Sequence, residues 1–183
     1  MPVIHIDTAE LTYPWFWLPG HLDRFMDGST PGGVGVDLPP GEYAVQQTRS
    51  RPSDVRFRVT DDGVVDYDPV HEHLLRGRGT TTLRVVGVPV TVQRAGEPLP
   101  LLPMWGGCHL PIEAGERRLR VPPGRAYEIR VGIVPSEVLA FSVGRDGIID
   151  YAPEYERTLS GRGTDRLVVS TGYPEAAPGP SPA

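Results

Sequence analysis

The segment Asp61-Asp-Gly-Val-Val-Asp-Tyr-Asp-Pro69 returns 84 positions later as Arg145-Asp-Gly-Ile-Ile-Asp-Tyr-Ala-Pro153. The same offset carries Phe57 onto Phe141, Gly77 onto Gly161, Arg78 onto Arg162 and Thr80 onto Thr164. Leu38-Pro-Pro-Gly41 answers Val121-Pro-Pro-Gly124, with one more residue before Tyr127, which aligns with Tyr43. Self-similarity at a fixed offset is the mark of a repeated structural unit. The expected division is a first β repeat over 1–87 and a second over 88–171, each a size that a small β domain can reach. Residues 172–183, rich in Pro and Ala, cannot build a core and are expected to be disordered.

Within each repeat the periodicity points to strands. Val55, Phe57 and Val59 alternate with Arg56 and Arg58, which predicts a half-buried strand with its arginines in solvent. Thr60-Asp-Asp-Gly63 suits a tight hairpin turn, and Val64 to Tyr67 returns as the partner strand. Leu139 to Val143, Gly147 and Ile148 to Tyr151 repeat that design. Asp68-Pro69 reads as an N-cap followed by proline in the first helical position, with Gly77 as the stop. About two helical turns are therefore expected over 69–76, and again over 153–160. Thr80 to Val86 and Thr164 to Ser170 follow as strands, and the stretches beginning at Ile4, Glu42, Val90 and Ala126 supply the rest. The expected fold is mainly β: two tandem copies of a small antiparallel β-sandwich or barrel-like unit, each with one short helical insertion.

Composition removes several functions. All 18 basic residues are arginine, so no lysine is present for a Schiff base or a P-loop. An arginine-only basic set fits a GC-rich genome, and a bacterial source is expected. The net charge of −5 speaks against a general nucleic-acid or anionic-membrane partner. A single cysteine, Cys108, no signal-like N-terminus and no apolar run of membrane-spanning length make the cytoplasm the expected compartment.

Comparing the repeats sorts the candidate sites. Asp61, Asp62, Asp66 and Asp68 invite a calcium reading, but the second repeat holds Arg145, Asp146, Asp150 and Ala152 there, so turn and cap roles are expected. His71 and His73 would suit a metal on a strand, yet they follow a helix signal, and Tyr155 and Arg157 replace them. No metal and no cofactor is expected. Cys108 and His109 are neighbours in sequence, an arrangement that seldom makes a catalytic pair. Arg78 and Arg162 are shared. Each is a candidate for binding a carboxylate or phosphate, with pairing to Asp66 or Asp150 of its own repeat as the favoured role. Tyr13, Trp15 and Trp17 would share one face of an extended segment, and Trp105 answers Trp17. These aromatics are candidates for a binding surface, with burial at the end of a repeat as the alternative.

The expected function is that of a non-catalytic tandem β module acting in interaction, structure or an accessory role, with another protein or a second copy of itself as partner. Two alternatives stand beside it. One is an enzyme with its site between the repeats around Cys108 and His109. The other is a carbohydrate-binding module using Trp15, Trp17 and Trp105.

Overall fold

The computed structural model describes residues 1–22, 24–46, 55–95, 102–105, 108–109, 115–131 and 137–170. The expected tail at 172–183 lies outside the described residues. The chain is mainly β. Its N-terminal half holds β1 (Val3–Asp7), β2 (Trp15–Phe16), β3 (Met26–Asp27), β4 (Val34–Asp37), β5 (Gly41–Val45), β6 (Val55–Val59), β7 (Val65–Asp66), β8 (Leu75–Arg76) and β9 (Thr82–Val85). The C-terminal half holds β10 (Val88–Ala95), β11 (Leu102–Trp105), β12 (Cys108–His109), β13 (Glu116–Val121), β14 (Arg125–Val131), β15 (Glu137–Val143), β16 (Ile149–Tyr151), β17 (Leu159–Ser160) and β18 (Arg166–Ser170).

These strands form several small open sheets, and no sheet among the described residues closes into a barrel. One sheet has the order β4-β1-β9-β8, and another has β13-β10-β18-β17, so the two correspond strand for strand. The hairpin sheet β5-β6-β7 has its counterpart in β14-β15-β16, which β11 and β12 extend to five strands. In the N-terminal half the hairpin of β2 and β3 is joined to this layer by a bridge between Trp17 and Gln46. Among the described residues all pairings are antiparallel except two: β1 with β9 and β10 with β18 run parallel. The first and last long strands of each half therefore lie side by side.

The sequence pattern explains the layers. In β6 Val55, Phe57 and Val59 are buried while Arg56 and Arg58 are exposed, as period-two alternation requires. Leu139, Phe141 and Val143 are buried in the same way on β15. Phe57 stacks on Tyr43 at 5.4 Å between ring centroids, and Phe141 meets Tyr127 at 5.5 Å. Each tyrosine hydroxyl donates to a proline carbonyl of its own half, Pro39 or Pro122. Burial raises the hydroxyl pKa of both tyrosines. Two separate clusters of buried apolar side chains result.

The expected two-turn helices are not formed. A single 3-10 turn occupies Pro69–His71 and another Pro153–Tyr155, after which the chain returns to strand. Asp68 caps the first turn as expected, accepting from Val70 N at 2.9 Å. Burial decides against the longer helix. Leu74 and Leu75 are both in the core, and Leu75 pairs with Val85 in the ladder. An isolated helix of eight residues is too short to compete with those contacts. Gly77 and Gly161 close the hairpins that follow, with φ of 98° and 100°, rather than ending helices.

The halves touch. Tyr13, from the N-terminal half, is buried in the C-terminal core cluster. Thr12 N donates to Arg120 O at 3.1 Å, Arg120 N returns a bond to Thr12 Oγ1 at 2.6 Å, and Arg120 pairs with Glu10 at 3.2 Å. His73 lies against Gly124, where a Cβ would approach its Nε2 to 2.8 Å and the ring would have to shift. Burial holds the His73 pKa below the usual histidine range, with Arg145, His71 and Arg125 adding to the fall and the Val70 carbonyl opposing it. Among the described residues no helix is long and apolar enough to cross a membrane.

Candidate functional site

The outer face of the β5-β6-β7 sheet and the turn after it form an open groove of about 470 Å³. Its walls come from Glu42 on β5, Arg56, Phe57 and Arg58 on β6, Asp66 on β7, the Tyr67-Asp68-Pro69 corner with His71, and Arg78 from the glycine turn. A second groove, of about 560 Å³, lies on β14-β15-β16. Every position lining it is a position of the first groove moved by 84 residues.

Half of these positions keep their residue type. Phe57, Asp66, Tyr67, Pro69 and Arg78 recur as Phe141, Asp150, Tyr151, Pro153 and Arg162. The other half change sharply. Glu42, Arg56, Arg58, Asp68 and His71 become Ala126, Ala140, Ser142, Ala152 and Tyr155. Thus at these five positions the first groove carries charged and imidazole side chains and the second small side chains and an extra ring.

The charges of the first groove are organised around Asp66. Its Oδ1 accepts Arg78 Nε at 2.7 Å and Tyr67 N at 3.0 Å. Its Oδ2 accepts Arg58 Nε at 2.8 Å and also Arg58 Nη2. Hydrogen bonds from Arg78 and then Arg58 hold the Asp66 carboxyl below the ordinary carboxylate range, and Asp66 raises the Arg78 pKa in return. The Asp66 side chain is 18 % exposed. The side chain of Arg56, on the same face of β6, makes no hydrogen bond and no ion pair among the described residues.

Among the described residues that line the second groove, Arg162 is the sole cation. Its Nε lies 3.3 Å from Asp150, Nη1 is 3.2 Å from Glu156, Nη2 donates to Tyr151 O, and its guanidinium sits 5.2 Å from the centre of the Tyr151 ring. All of its nitrogens are engaged within the protein. Asp150, with no counterpart of Arg58 beside it, is 74 % exposed.

The pairing expected for Arg78 and Arg162 with their aspartates is therefore present, and both arginines also line a groove. The aromatic segment is dispersed. Tyr13 is buried in the C-terminal core, Trp15 is 44 % exposed, and Phe16 is buried in the N-terminal core. Trp17 donates its indole N–H to Leu22 O and tilts against Phe25 at 6.3 Å. Of the three rings expected on one face, Tyr13 is in the C-terminal core, whereas Trp15 and Trp17 alternate with the buried Phe16 and Leu18. The side chains of Trp105, Cys108 and His109 lie outside what is described. His71 lines the first groove while His73 faces Gly124, so these two rings diverge. Among the described residues no group of three His, Cys, Asp or Glu side chains is placed to hold a metal ion.

Arg56, Arg58 and Glu42 carry most of the difference between the grooves, yet periodicity alone marks them only as solvent-facing. The usable signal was their replacement by Ala140, Ser142 and Ala126 at the shared offset. Compared with known proteins, the chain matches no family model, no curated protein and no solved structure.

Proposed function

We propose that the protein is a non-catalytic binding module made of two tandem copies of one β unit, 1–87 and 88–171, each presenting one groove to a partner protein. The observation that carries this reading is the one-for-one correspondence of the groove positions, half retained and half replaced. The retained residues build the groove: a ring on the core, a proline corner and an arginine tied to an aspartate. The replaced ones line its open side, where a ligand would be met. Divergence confined to a lining over a common frame is what two specificities on one scaffold require.

The test is capture of proteins from a native extract by the full chain and by a variant carrying Arg56→Glu and Ala140→Glu, one exposed substitution in each groove. Partners held by the unmodified chain are expected to be lost from the variant, with the melting temperature unchanged. An identical set of captured proteins would rule out the grooves as the binding surface.

A further inference from the structure

The two grooves differ in what their arginines leave free. Arg162 has every nitrogen engaged, whereas Arg78 commits only Nε to Asp66. Among the described residues, both terminal nitrogens of Arg78, Nη1 of Arg58 and the whole guanidinium of Arg56 make no hydrogen bond and no ion pair. Asp66 accepts from Arg58 and Arg78 together and so fixes the planes of two guanidiniums while their outer N–H groups remain open. An arginine held by a carboxylate at Nε has already lost much of the side-chain freedom that binding would otherwise remove.

We propose that the groove of Arg56, Arg58 and Arg78 binds the carboxylate side chains of an acidic segment of a partner protein, and that the groove of Arg162 does not. This rests on the binding reading above and names the chemistry of one of its two surfaces. A planar fork with parallel N–H donors matches a carboxylate in two-point contact. The groove is open along its length, so it cannot enclose a small molecule, but an extended segment can lie across it. Its own charges balance, with Glu42, Asp66 and Asp68 against the three arginines. Attraction therefore comes from the placed donors at short range rather than from a positive field, which suits singly charged carboxylates better than a doubly charged phosphate. In the other groove Ala140 and Ser142 replace Arg56 and Arg58, which leaves Arg162, in contact with Asp150, Glu156 and Tyr151, as the one arginine lining it.

The experiment is fluorescence anisotropy of a labelled hexaglutamate peptide titrated with the full chain, with hexaglutamine, glutarate and inorganic phosphate as competitors. Hexaglutamate is expected to bind, hexaglutamine to compete poorly, and glutarate and phosphate to displace it only at far higher concentration. Arg56→Gln, which breaks no protein contact, is expected to weaken binding by about tenfold or more at an unchanged melting temperature. Unaltered affinity in Arg56→Gln, or equal competition by hexaglutamine, would overturn the proposal. Glutarate or phosphate competing as well as the peptide would overturn it in favour of a small anion. If hexaglutamate fails to bind while the doubly substituted chain still loses its captured partners, this inference alone fails. If the captured set also persists, the binding reading fails with it.

Discussion

Asp66 and Asp150 occupy equivalent positions, accept from equivalent arginines and yet live in different surroundings. Asp66 is 18 % exposed and holds two arginines; Asp150 is 74 % exposed and reaches one at 3.3 Å. The cause is one substitution on the neighbouring strand, Arg58 against Ser142, because Arg58 is register partner to Asp66 and Ser142 to Asp150. One change on an outward strand position therefore converts a saturated, screened carboxylate into a solvated one without altering the sheet. The frame and the lining of this fold are separable, and each can be probed by making the same change in both halves.

The largest effect is expected where the frame is shared. Gly77→Ala and Gly161→Ala each force a side chain onto a left-handed residue and drive the new Cβ into the carbonyl of Thr82 or Arg166. Each should cost about 3 kcal/mol or more, and urea denaturation should return similar losses for the two. A difference above about 1 kcal/mol would break the claim that the turns are equivalent. Next come the aspartates, where the halves should disagree. Asp66→Asn leaves two arginines facing a neutral amide and should lower the melting temperature clearly; Asp150→Asn, at an exposed pair, should scarcely move it. Equal shifts would mean that the second arginine contributes nothing.

Acid sharpens the same contrast. The folded-state pKa of Asp66 is depressed, so its contribution is present above the ordinary aspartate pKa and is lost as pH falls through the lowered folded value. Asp66→Asn should flatten that acid limb, as followed by melting temperature against pH. The smallest effect belongs to His73, whose folded-state pKa is also depressed. Burial, with the nearby charges of Arg145, His71 and Arg125, favours its neutral form, so stability from it is complete above the ordinary histidine pKa of about 6.5 and declines on acidification. His73→Gln should remove a slight fall in melting temperature between about pH 6.5 and pH 5. An unchanged profile would show that the ring stays neutral or that the contact tolerates its charge.

Much of the frame was legible because it is local. The alternation of Val55, Phe57 and Val59 and the turn glycines Gly63 and Gly147 state their structure within a few residues. The helical insertions were misjudged because Asp68-Pro69 does start a turn, while the burial of Leu74 and Leu75 that ends it depends on a core not visible from the segment. The destination of Tyr13 was hidden for the same reason, since its neighbours come from β strands beyond residue 88. The parallel pairing of β1 with β9 joins residues far apart in the chain, and no short-range pattern encodes it. Arg78 was visible as a shared residue. The groove around it was not, because it gathers β5, β6, β7 and two turns that only the folded register brings together.

That parallel pairing has a mechanical side. In β1 and β9, His5, Ile6 and Asp7 lie beside Thr82, Leu83 and Arg84, so the chain enters the pair at one end and leaves it at the other. β10 and β18 repeat the arrangement with Thr91 to Ala95 beside Arg166 to Ser170. Tension drawn along the backbone would load each pair in shear, straining its cross-strand hydrogen bonds together instead of peeling them one at a time. The C-terminal pair has five register partners to share such a load and the N-terminal pair three.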